Sequence, residues 1–261
     1  MKKRIWISAL GKDEARSSDV MGALHKYGME PAGHFWEDQV EKLAWMGALE
    51  RIVADDAKAW VVLLDAAAWE KESVRYGVAM LALSIKSARG AAFPIFLLLP
   101  DGMALDAATM ATPLAGAVVM PQKGAWLAKL AAKTAVAPKM GSGDDFRLDA
   151  YGDGKVGQWF EVGPAHGTWK GVLFAVAGGG EILFQAVGPK DKLPEKTTLE
   201  YAQKGLKMTL GDTEFTGWAV QNVINETTSC FVKVGGAPTS ILFAPYDPEG
   251  EEADVYRVRL V

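Results

Sequence analysis

The segment "WEKESVRYGVAML", residues 69–81, puts Glu72 near the start of an amphipathic helix that comes directly off a buried strand. A carboxylate at such a junction can accept a hydrogen bond from a sugar hydroxyl and offset positive charge developing at a neighbouring carbon. Ser8 and the loop Gly11, Lys12 and Asp13 sit at the carboxyl end of the first strand candidate, where open α/β sheets bind ligands. With Trp36, Arg75, Tyr76 and Gly77 they form the candidate ligand- or partner-binding set. The alternative for Arg75 and Tyr76 is that they only cover the helix surface.

Other patterns suggest chemistry but lack the context it needs. "GDGKVG", residues 152–157, fits G-x-G-x-x-G literally, yet a Gly/Asp stretch precedes it and a strand candidate follows, so no helix N-terminus would receive a pyrophosphate. It reads as a turn. "PYDPEGEEAD", residues 245–254, gathers acids that could ligate calcium through oxygen, but in no known loop spacing, and reads as a solvated turn. Trp159, Trp169 and Trp218 could stack on sugars, although strand tryptophans more often fill cores. His25, His34 and His166 show no metal-ligand spacing, and His166 reads as a loop residue. Cys230 is the single cysteine, so no intrachain disulfide forms. Asn225-Glu226-Thr227 is a glycosylation sequon that matters only in a secreted chain.

The elements that must hold these residues divide into two halves. A length of 261 residues exceeds the usual single domain of roughly 100–200, so two domains are expected. The net charge of -4, without a Lys/Arg cluster, argues against a nucleic-acid surface. The apolar stretch Ile5 to Leu10 is shorter than the roughly 7–15 residues of a signal-peptide core. No run approaches the roughly 18 apolar residues of a membrane span, so the expected location is the cytoplasm.

From residue 4 to about 136, short apolar runs alternate with helical periodicity. "RIWISAL", "AGHFW", "AWVVLLD", "FPIFLLLP" and "AGAVVMP" read as strands. Between them, one helix carries Val20, Met21, Leu24 and Tyr27 on one face, ends at Gly28 and is kept from continuing by Pro31. Others are expected from about Asp38 to Val53, from the opening segment with Val74, Val78, Leu81 and Ile85 inward to Gly90, and from about Gln122 to Val136. This alternation predicts a flavodoxin-like parallel sheet with helices on both faces over residues 1–137. A Pro/Gly/Ser/Asp linker is expected at 138–147. Over 148–261, "GQWFEV", "TWKGVLFAV", "EILFQAV", "GWAVQNVI", "SCFVKV", "SILFAP" and "DVYRVRLV" are short strands between turn signals, which predicts a β-sandwich or jelly roll.

In this order "IWISALGKDE", "HKYGMEPAGHFWED", "AWVVLLDAAAW" and "FPIFLLLPDG" resemble the strands and loops of a bacterial TIR (Toll/interleukin-1 receptor) domain. The resemblance does not extend to residues 145–261. It implies either an assembly module that stacks through the loop after the second strand, or a glycohydrolase that cleaves the nicotinamide-ribose bond of NAD. The family places its catalytic Glu on the helix after the central strand, in a pattern near W-x-x-x-E. An ungapped match puts Ser73 at the Trp position and Gly77 at the Glu position. Anchoring on Trp69 instead puts Ser73 at the Glu position, and only a one-residue deletion brings Glu72 there. Glu72 and Gly77 lie about 140° apart around a helix and roughly 7.5 Å along it, so one does not replace the other without a register shift.

The ungapped reading implies a signalling or assembly protein that binds a protein partner, itself or a nucleotide-derived ligand without turnover and with no cofactor. Two alternatives remain open here. One is an NAD or nucleotide glycohydrolase using Glu72; the other is a nucleoside deoxyribosyltransferase-like enzyme, which shares the sheet.

Overall fold

In a computed structural model, described over residues 2–135, 145–250 and 253–261, the chain divides into two compact units. One comprises Met1–Val40 with Ala44–Ser142, the other Glu41–Leu43 with Gly143–Val261. Most of the expected linker, residues 138–144, lies outside the described residues, as does Val136.

The first unit is built on a five-stranded parallel sheet of order β2-β1-β3-β4-β5. Its strands are β1 (Lys3–Ala9), β2 (Met29–Phe35), β3 (Ala59–Leu63), β4 (Ile95–Leu99) and β5 (Val118–Pro121). This is the flavodoxin-like order, with a topological switch between β1 and β3. β3 and β4 are buried at every position, which is why their sequences are apolar runs without alternation.

Side-chain alternation assigns the two faces. Ile5, Ile7, Ala9, Val61, Leu63, Phe96 and Leu98 join Val20 and Leu24 of α1 (Glu14–Lys26) and Trp126 and Leu130 of α5 (Trp126–Lys133) in one core. Trp6, Ser8, Trp60 and Val62 have the opposite parity. α2 (Trp45–Ala54) packs against α4 (Glu72–Arg89), which follows the short α3 (Ala66–Trp69).

Several boundaries differ from expectation for physical reasons. The second helix begins at Trp45, after a single 3-10 turn at Val40–Lys42, because Leu43 adopts a left-handed φ of 52° that no α-helix continues through. Tyr27 is exposed rather than inward, since it is the cap residue of α1 and has left the helical stripe. Pro31 lies inside β2, which is tolerated because β2 is an edge strand. Pro94 precedes β4, which is an interior strand of the sheet. α4 ends at Gly90 and is buried on all sides from Tyr76 to Ile85.

The second unit holds two antiparallel sheets. One orders β10 (Gly180–Pro189), β14 (Thr228–Gly236), β7 (Gly157–Pro164) and β6 (Phe146–Asp153); the other orders β11 (Gln203–Leu210), β12 (Thr213–Val220), β9 (Val172–Ala177), β15 (Ser240–Pro245) and β16 (Tyr256–Arg259). A two-stranded ladder pairs β8 (Thr168–Trp169) with β13 (Ile224–Asn225). Phe160 meets Phe174 at 5.7 Å between ring centres and Phe146 meets Phe243 at 5.0 Å, joining the two larger sheets into a sandwich. β6 and β11 are strands the sequence did not announce. "GDGKVG" forms the turn of the β6–β7 hairpin, where the Asp153 carboxylate accepts from the Lys155 and Val156 N–H groups.

Candidate functional site

The carboxyl ends of β1 and β3 meet three chain segments. The β1–α1 loop passes close to Asp65: a Cβ on Gly11 would lie 3.0 Å from Asp65 Oδ2. Asp13 caps α1 by accepting from the Arg16 N–H at 2.9 Å, and Asp65 caps α3 by accepting from the Ala68 N–H at 2.8 Å. Lys12 is exposed beside them.

Arg16, in the first turn of α1, carries no motif in the sequence. Its half-buried guanidinium donates to the Leu64 carbonyl at 2.5 Å, the Leu98 carbonyl at 3.2 Å and Gln122 Oε1 at 2.5 Å. It therefore lies over the ends of β3, β4 and β5. Burial lowers its pKa from the ordinary arginine value, an effect that Asp13, Asp65 and Asp101 oppose. The sequence signal is faint, an Arg in a polar first turn. Backbone carbonyls on distant strands leave no residue pattern.

The third segment carries Trp36, immediately after β2. Its backbone N–H donates to the Ala9 carbonyl at 2.8 Å, and the residue is buried. A Cβ placed on Gly77 would sit 2.8 Å from Trp36 Cζ2, inside van der Waals contact. Gly77 is thus glycine because the tryptophan ring occupies the space a side chain would enter. Trp36 also belongs to a file of rings: Trp6 and His34 lie 5.8 Å apart between centres, and His34 and Trp36 6.2 Å.

Other expected site residues are placed elsewhere. Ser8 is fully buried and its Oγ accepts from Trp60 Nε1 at 2.9 Å, so it serves the core under the site rather than lining it. Tyr76 is fully buried rather than covering a helix surface, because α4 is enclosed along that stretch. Arg75 donates to the Trp69 and Glu70 carbonyls at 2.9 and 2.8 Å, closing the end of α3. Glu72 is exposed at the first turn of α4, without a hydrogen bond or ion pair among the described residues. Next to it, Lys71 pairs with Asp38 at 3.7 Å.

In the second unit, Trp159 and Trp169 are buried, while Trp218 has Lys204 Nζ 4.2 Å above its ring. His166 is a surface residue. Cys230 is buried, and burial raises its thiol to about 12, away from reactivity. In the acidic loop, Asp247 accepts from Lys170 Nζ at 2.7 Å, while Glu251 and Glu252 lie outside the described residues. No helix among the described residues is long and apolar enough to cross a membrane.

The carboxyl end of the sheet thus gathers Gly11 close against Asp65, two capping aspartates and Arg16, and beside them the Trp36 ring fills the space next to Gly77. No protein-family model matches the chain, and no curated protein sequence matches it.

Proposed function

We propose that the N-terminal unit is a TIR-like domain that binds a protein partner, a second copy of itself or a nucleotide-derived ligand without cleaving it, in a signalling or assembly role. The β-sandwich supplies further binding or oligomer contacts. One observation carries this reading: the Trp36 ring stands 2.8 Å from the position of a side chain at residue 77. The flavodoxin-like strand order and the two capping carboxylates at the switch point support it as a binding crevice.

A glycohydrolase needs a carboxylate held beside the ribose so that it stabilises the developing cation. Glu72, exposed and unheld at the start of α4, lacks that preorganisation.

Sedimentation velocity of the full chain over a wide concentration range, with and without NAD as probe, tests the binding role. Mass increasing with concentration, or a shift on adding NAD, supports it. A chain that stays monomeric throughout and gives no calorimetric signal with NAD removes self-association and NAD from the binding role.

A further inference from the structure

His34 occupies a position between two tryptophans that only one protonation state satisfies. Trp6 Nε1 donates to His34 Nδ1 at 3.2 Å. An indole nitrogen is a donor only, so Nδ1 must be unprotonated and the ring neutral for this bond to exist. Trp6 itself is 5 % exposed, which leaves its N–H little access to water as a substitute partner. On its other side the His34 ring faces Trp36, whose own edge covers Gly77.

We infer that the Trp6–His34–Trp36 file is a proton-sensitive latch: with His34 neutral it holds the Trp36 indole over Gly77, and protonation of His34 releases that indole from the helix. Protonation sets two donors, the imidazolium N–H and the Trp6 N–H, against each other, and the file must rearrange to separate them. The Trp36 backbone stays tied to the Ala9 carbonyl, so the displacement is confined to the side chain. The space it vacates lies at the carboxyl end of β2 and over the first half of α4.

The groups surrounding His34 set the direction. β1 presents Trp6 and Ser8, the segment after β2 presents Glu37, α2 presents Arg51 at 5.9 Å across the Trp6 ring, and α4 meets the file through Gly77. Desolvation lowers the His34 pKa below the ordinary 6.5, and Glu37 opposes this. A folded value below the unfolded one means that folding releases protons in the interval between them. Stability therefore rises with pH through that interval, is fully present above 6.5 and is lost on acidification toward the folded value.

The test is a titration of the full chain carrying 15N-tryptophan, following the indole N–H resonances of Trp6 and Trp36 from pH 8 to pH 5. Each is assigned by its loss in Trp6→Phe and Trp36→Phe. Both resonances are expected to move with one midpoint below pH 6.5, and to stay fixed in His34→Gln, whose amide oxygen accepts the indole bond without titrating. Resonances that stay fixed in the unaltered chain, or that move equally in His34→Gln, overturn the latch. Should His34→Gln not fold, the His34 Cε1–H titration in the unaltered chain decides instead. A midpoint shared with both indoles supports the latch, and separate midpoints contradict it. No ligand is involved, so this outcome is independent of the binding role.

Discussion

A methyl group added at Gly77 would meet the Trp36 ring at 2.8 Å, and that contact sets what residue 77 can be. In an exposed helix, replacing Gly by Ala is worth about 1 kcal/mol in favour of Ala. Overpacking a filled core costs about 1–3 kcal/mol. The second effect wins here, so Gly77→Ala is expected to destabilise the chain by roughly 1 kcal/mol net. In a Trp36→Ala background the obstruction is gone, and the same substitution is expected to stabilise by about 1 kcal/mol. Urea unfolding of the four proteins of this cycle measures the reversal, and equal effects in both backgrounds would show that the ring and the glycine are uncoupled. The glycine itself was legible in the sequence, because the strand-to-helix pattern fixes its position. Its cause was not, since Trp36 comes from a different strand end. The burial of Ser8 and Tyr76 was hidden for a related reason: a strand residue turned inward to Trp60 and a helix enclosed on every side look, in sequence, like any other amphipathic position.

Among the elements, α1 packs on the sheet through Val20 and Leu24 and is hydrogen-bonded to the sheet's carboxyl end by Arg16. Arg16 reaches the Leu64 carbonyl just beyond β3, the Leu98 carbonyl near the end of β4 and Gln122 after β5. Replacing it by Met keeps the aliphatic stem and removes the donors, with an expected loss of about 1–3 kcal/mol for hydrogen bonds to a charged group. Hydrogen–deuterium exchange is the suitable readout: amide exchange in α1 should rise in Arg16→Met, and unchanged protection of α1 would contradict the fastening role. Element legibility followed burial. β3 and β4 were evident because both faces are covered and their residues are uniformly apolar. β11 was hidden because it is an exposed edge strand bearing Gln203, Lys204 and Lys207. β6 was hidden because its polar positions have tertiary partners: Arg147 donates to the carbonyls of Asn225, Glu226 and Thr228, and Tyr151 to the buried Glu161 at 2.5 Å. Polar residues paired in this way read in sequence as linker.

Over the whole molecule, a parallel α/β unit and an antiparallel β-sandwich share one chain, and the change in hydrophobic period near residue 140 announced both. Fold class of this kind is carried by patterning, whereas function depends on individual side chains at the sheet's carboxyl end. Here those side chains are a tryptophan over a glycine, two capping aspartates and an arginine bound to backbone carbonyls. The proposed binding role rests on these groups, and Glu72, the acid that a cleavage reaction would need, is left in solvent. Chromatographic detection of nicotinamide after incubating the purified full chain with NAD is the most direct test. The account predicts no release above that of Glu72→Gln or of buffer, and release by the unaltered chain that disappears in Glu72→Gln would contradict it.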